Sequence, residues 1–413
     1  MFSSTLSKNK IPVVISYINL ILGLALGILA TNFYGLEVVG LIYFSLGLQQ
    51  LFGFLLTLGI GTYSIKYLAR SKSKKSILRC LNLITRHIVV ILFFCLLLLF
   101  IMRVFMPDML NIILILSVTL VLVSLIRFLV EDILLGMGLM NVSVLQAFAE
   151  SSLRLIFISI FFVESQQDIL IILILSSFIP LLINCLIFFQ KLKKFKLLKV
   201  NARYVRAYYS ESLIIFSSHF LAMIHTRSGV VIAGWFFSPT LVGVYGLLIN
   251  ISEPILRLGT VISRFFMRAG ATADNLEIIR LWRTVLLAAF LGALAALILS
   301  YFFLIIDDIF YNSSLIKFSL EFNILLIYSV AFLLVNITVN ILNGIGLSLN
   351  VLKLSTVSTL LYLFLLSIAS AKNSFILFVA SISLSSTVLC LTFMYVLYNS
   401  AYVLANKKIY LGN

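Results

Sequence analysis

The chain has 413 residues, of which 62% are hydrophobic and only 11% charged, and its formal net charge is +16. A soluble domain of this size carries about a quarter charged residues, so a water-facing globule is excluded. Apolar runs of bilayer length recur from end to end, which predicts an all-α polytopic membrane protein.

The opening MFSSTLSKNK runs straight into a long apolar span without a small-residue cleavage site, so the first span is expected to stay as a helix. Twelve spans are predicted, at 11–31, 38–62, 83–104, 110–130, 143–163, 169–190, 212–235, 240–262, 285–306, 318–342, 351–371 and 374–397. With the N-terminus inside, 22 of the 30 Lys and Arg fall on the cytoplasmic side. Only Arg103, Lys317 and Lys372 lie outside, and Arg86, Arg127, Arg154, Arg227 and Arg257 fall within spans. This asymmetry places both termini in the cytoplasm. It also accounts for the positive charge without nucleic acid. The four cysteines and three histidines show no metal-ligand or disulfide spacing, so no metal site and no cofactor are expected.

After six spans comes KLKKFKLLKVNARYVR at 191–206, a basic segment suited to the anionic inner leaflet. It divides the chain into an N-terminal lobe at 1–190, a linker at 191–211 and a C-terminal lobe at 212–413. Across the linker, FYGLEVVGLIY at 33–43 aligns with FFSPTLVGVYG at 236–246, an offset of 203 residues. Val39 and Gly40 match Val242 and Gly243, Thr57 matches Thr260, and Gln50 matches Glu253. Six being even, the halves would be parallel repeats, related by a pseudo-two-fold axis along the membrane normal.

The stretch FYGLEVVGLIYFSLGLQQLFGFLLTLGIGTYSIKYLA and its echo WFFSPTLVGVYGLLINISEPILRLGTVISRFFMR resemble the polysaccharide-exporter family that contains the Wzx-type O-antigen flippases. In that family a loop with Gly or Pro, then x-x-G-x-Y, opens the second and eighth helices. The likeness covers about 60 residues at the start of each half; the last two helices of each half add only their number. The family shares the MOP superfamily with MATE drug exporters and the lipid II flippase. The resemblance implies a two-lobed, MATE-like V shape. It also implies a flippase for undecaprenyl-pyrophosphate-linked oligosaccharide, an O-antigen or capsule repeat unit, in the bacterial inner membrane. Anionic lipids and other polysaccharide-assembly membrane proteins would be its partners.

Charges within spans mark functional candidates, because each one is costly in lipid. Glu150 and Arg154 in LQAFAESSLRLIF lie four apart and can pair on one helix face. Glu253 and Arg257 in ISEPILRLG repeat that spacing, with Pro254 inviting a kink or gate between them. His225 and Arg227 in LAMIHTRSGVVIAGW point about 200° apart. Arg227 is therefore expected toward a cavity or a carboxylate, and His225 on a serine stripe as an interhelical hydrogen bonder. Arg127, with Glu131 and Asp132, reads as a cavity mouth or an interface cluster. Asn336 and Asn340 share a face that would serve sugar hydroxyls or helix packing. Arginine forks match phosphate oxygens, so Arg154, Arg227 and Arg257 are the expected cargo ligands. Glu150 and Glu253 have two readings, as binders of H⁺ or Na⁺ and as partners of their arginines. A cation-coupled MATE-like antiporter is the nearest rival function. A membrane glycan polymerase or ligase is further off, because every outer connection is short.

Overall fold

The computed structural model describes residues 10–61, 64, 68, 74–105, 112–137, 140–161, 163, 165–192, 202–272, 275–345 and 347–411. Helices account for nearly all of them and no strand occurs among them. Hydrocarbon offers backbone N–H and C=O groups no partner, so a spanning chain has to satisfy them within its own helices.

The helices in order are α1 (Lys10–Thr57), α2 (Lys74–Phe105), α3 (Ile112–Gly136), α4 (Met140–Ile160), α5 (Gln166–Leu192), α6 (Ala202–Phe236), α7 (Pro239–Thr272), α8 (Asn275–Tyr311), α9 (Ser319–Gly344), α10 (Ser348–Ala371) and α11 (Phe375–Leu411). Nine stretches among the described residues are long and apolar enough to cross a membrane. One of them, Tyr17–Thr57, covers the first two expected spans in 41 residues, and α4 and α6 fall outside the nine. The chain is a multi-pass membrane protein. It divides into two compact units, Met1–Met223 and Ile224–Asn413. The division falls inside α6, so residues 212–223 belong to the first unit rather than opening the second.

In the first unit, α1 packs against α3 and α4, and α5 closes on α3 and α4. Within α1, Gly35 breaks the helix at φ 81°, ψ 174°, a conformation open in practice to glycine alone. Tyr34 fixes this elbow: its hydroxyl reaches the carbonyls of Ile158 and Phe161 at the end of α4, 2.9 Å each. At Gly53 the backbone of α1 approaches α3 so closely that a Cβ would lie 2.9 Å from Ser124 Cβ. The helix then stops at a second break, where Leu58 and Gly59 both have positive φ. There the His87 Nε2 ring nitrogen bonds the orphaned Leu56 carbonyl at 2.7 Å, and Tyr209 of α6 stands 3.4 Å from His87 Nδ1. Tyr208 bonds Ser64 and reaches the Ile60 carbonyl at 3.3 Å. The start of α6 is thus built into the first unit.

In the second unit, α9 lies among α7, α8, α10 and α11. Phe237, just after α6, sets its ring edge-on to Phe375 and Phe378 of α11, with centroids 5.8 and 5.3 Å away. Ser228 bonds the Tyr362 hydroxyl at 3.1 Å, and Gly229 leaves room for Tyr245, so the small residues of α6 do serve close packing. α8 turns Leu287, Phe290, Leu297 and Tyr301 outward, an apolar face fit for lipid. Its end is closed by buried Asp307, whose carboxylate accepts the Leu315 N–H at 3.0 and 3.2 Å.

Two stability predictions follow from these breaks and caps. Alanine at Gly59 would put a Cβ 2.7 Å from Phe216 Cβ as well as straining φ, whereas at Gly35 nothing lies within 4 Å. Gly59→Ala should therefore lower the Tm of the detergent-purified protein more than Gly35→Ala, whose loss is backbone strain of about 1–3 kcal/mol. Equal shifts would contradict the packing at Gly59. Asp307→Ala strands a buried N–H and should destabilise by about 1–3 kcal/mol, read from the same melting curves.

Candidate functional site

α4 carries Gln146, Glu150 and Arg154 four residues apart, a polar stripe along one face of a helix. Its neighbours answer it residue by residue. Arg154 pairs with Glu150 one turn below, as the spacing predicts. Arg127 of α3 pairs with the other oxygen of the same carboxylate. Ser177 of α5 donates to Glu150 Oε1 at 2.6 Å, and Gln49 of α1 donates to Ser177 at 3.1 Å. Arg154 also reaches Gln49 Oε1 and Ser177 Oγ, both at 3.3 Å. One turn further along, Asn184 of α5 donates to Gln146 at 2.5 Å. Four helices therefore contribute to a single buried polar cluster.

The balance within it is uneven. Two guanidinium groups share one carboxylate, so the trio has a net charge of +1. A single carboxylate also cannot occupy ten guanidinium N–H donors, and the Nε atoms of Arg127 and Arg154 are buried without a partner. The Glu150 side chain is 3% exposed, against 14% for Arg127 and 11% for Arg154. The cluster therefore holds more guanidinium than its carboxylate can satisfy.

Arg127, expected with Glu131 and Asp132 as a cavity mouth or an interface cluster, has a further partner outside its own helix. Its ion-pair partner is Glu150, on the next helix. Ser177, Gln146 and Asn184 had no sequence signal of their own, since single polar residues in apolar helices usually serve packing. The repeat of polar residues at 146, 150 and 154 was the available clue.

The other candidates belong to the second unit. The side chains of Arg227 and Arg257 lie outside the described residues. α7 runs unbroken through Pro254, with Glu253 half-buried beside it. His225 is buried, and its ring lies 4.7 Å from that of Tyr362, but neither ring nitrogen has a hydrogen-bond partner. The expected interhelical hydrogen bond is made by its neighbour Ser228 instead. Asn340 donates its amide to the Asn336 carbonyl of its own helix at 2.8 Å, and Asn336 Nδ2 is buried without a partner. Among the described residues, no group of His, Cys, Asp or Glu could hold a metal.

Comparison with solved structures agrees on the fold. A multidrug resistance MATE family transporter of the MOP superfamily, solved in an inward-facing conformation, is similar at TM-score 0.74 and 13% identity, covering 94% of this chain and 96% of that one. The lipid II flippase MurJ is similar at TM-score 0.68 and 14% identity, covering 93% of this chain and 86% of that one. At these identities the likeness speaks to fold. No curated protein sequence matches the chain. The profile of the polysaccharide biosynthesis protein family matches residues 11–264, more than half of the length, and the chain belongs to that family.

Proposed function

We propose that the chain is a flippase for undecaprenyl-pyrophosphate-linked oligosaccharide, moving it from the cytoplasmic to the periplasmic leaflet of a bacterial inner membrane. The observation that carries this reading is the Arg127–Glu150–Arg154 cluster, two guanidinium groups on one carboxylate inside a membrane protein of polysaccharide biosynthesis. A lipid-linked sugar offers its carrier a diphosphate and hydroxyls, none of which crosses hydrocarbon unaided. Paired guanidinium groups replace the lost hydration of the phosphate oxygens with charge-assisted hydrogen bonds. On this reading Arg127 joins Arg154, Arg227 and Arg257 as a cargo ligand, and twelve spans work as two lobes in alternating access. Both termini are cytoplasmic by the distribution of Lys and Arg.

A cation-coupled antiporter of small molecules is the second reading, favoured by the likeness to the MATE fold. The two differ in what they require of the arginines. Export of lipid-linked sugar needs an anion site, whereas a transporter of cationic drugs has no use for one.

Export is measured as surface polysaccharide in the host after deletion of the chromosomal copy and complementation. Arg127→Ala and Arg154→Ala should each lower it by about tenfold or more, equal to about 1.4 kcal/mol of cargo stabilisation. Lysine at either place keeps the charge but loses the fork, so it should recover only part of the export. Full export from the variant lacking Arg154, Arg227 and Arg257 together would end the proposal. His225→Phe is the contrasting case. With no ring hydrogen bond to lose, it should leave both export and Tm unchanged or slightly raised.

A further inference from the structure

The surplus in the cluster has a direction. Glu150 receives bonds from Arg127, Arg154 and Ser177, so its oxygens occupy the position on the two guanidinium groups that an external anion would take. The arginines have the more exposed side chains and the carboxylate the less exposed one. An anion that reaches these donors has the carboxylate as its rival for them.

We propose that Glu150 is a built-in competitor of the cargo diphosphate: it holds Arg127 and Arg154 when the site is empty, yields donors when a diphosphate binds, and takes them back to drive release. This rests on the flippase reading above and adds the regulation of its anion site. A transporter needs such a rival. Arginines left without a counter-ion in a membrane interior are unstable when empty, and they would hold a diphosphate too tightly to let it go. One carboxylate against two guanidinium groups addresses both problems. It stabilises the empty state, yet it cannot match the charge or the number of acceptor oxygens of a diphosphate. Ser177 and Gln49 complete the device. Ser177 steadies Glu150 through its 2.6 Å bond, and Gln49 offers Arg154 a neutral acceptor at 3.3 Å that survives the exchange.

The test uses the full-length protein in nanodiscs of zwitterionic lipid, titrated in separate arms with inorganic pyrophosphate and with a polyprenyl diphosphate. Glu150→Gln removes the competing charge and should tighten binding by about tenfold, the effect of one close charge pair. Arg154→Ala should abolish binding in the wild-type and in the Glu150→Gln background. Should Glu150→Gln not fold, Ser177→Ala loosens the same carboxylate without changing charge and should shift affinity in the same direction by a smaller factor. Tightening in either arm supports the proposal, and the arm that responds identifies the source of the diphosphate. Unchanged or weaker binding in both arms overturns it. The flippase reading fails separately, if the arginine variants that lose diphosphate binding still export polysaccharide normally.

Discussion

A single carboxylate held between two guanidinium groups organises the first unit. Moving a charge from water into a low-dielectric interior has an effective cost of several kcal/mol, and a carboxylate that lost both partners would be intolerable there. Glu150 is tolerated because α3 supplies Arg127, its own helix supplies Arg154, α5 supplies Ser177 and α1 supplies Gln49 one step behind. Each of these side chains is usable only if its helix stands in register with α4. The polar cluster therefore specifies how four otherwise interchangeable apolar helices are rotated. Breaking a buried pair by removing one member typically costs about 3–5 kcal/mol. Such a penalty is large enough to reject alternative rotations.

The second unit reaches order by other means. Lipid tails are as apolar as leucine, so no hydrophobic gain drives helix against helix, and close packing has to do the work. Gly229 lets Tyr245 approach, Ser228 bonds Tyr362, and Phe237 fits edge-on between Phe375 and Phe378. Most serines and threonines here, such as Ser329, Thr338 and Thr359, return their hydroxyls to a carbonyl of their own helix, which removes a polar group from lipid at no demand on neighbours. Buried His225 departs from this, with both ring nitrogens unpartnered against the Tyr362 ring, as do the hydroxyls of Ser358, Ser370 and Ser386.

Much of the fold is legible in the sequence because hydrocarbon leaves few options. Runs of about 20 apolar residues mean helices, and interruptions such as FYGLEV mean an elbow, which the structure sets at Gly35. The spacing of Glu150 and Arg154 likewise predicts their ion pair. What stays hidden is anything that depends on helix rotation. Arg127 had carboxylates within five residues of it in sequence, yet its ion pair is with Glu150, 23 residues away. Its true partner follows only from which face α3 presents to α4. The start of α6 is a similar case. Tyr208 and Tyr209 read as the end of a linker and Ser212 as the start of the C-terminal lobe, but they close onto the break at Leu58–Gly59, a site with no apolar periodicity to betray it.

The aligned stretches at 33–43 and 236–246 anchor their turns by different chemistry. At the offset of 203 residues Tyr34 aligns with Phe237; Tyr34 sits at the Gly35 break within α1, and Phe237 between α6 and α7. Tyr34 anchors its turn with a hydroxyl that takes up two carbonyls left over at the end of α4. Phe237 does so with ring edges against Phe375 and Phe378 of α11. The same alignment matches Gln50 with Glu253, a neutral amide with an acid. In the first unit it is the adjacent Gln49 whose amide enters the cluster, where a carboxylate would neutralise the +1 balance on which the anion chemistry of Arg127 and Arg154 depends.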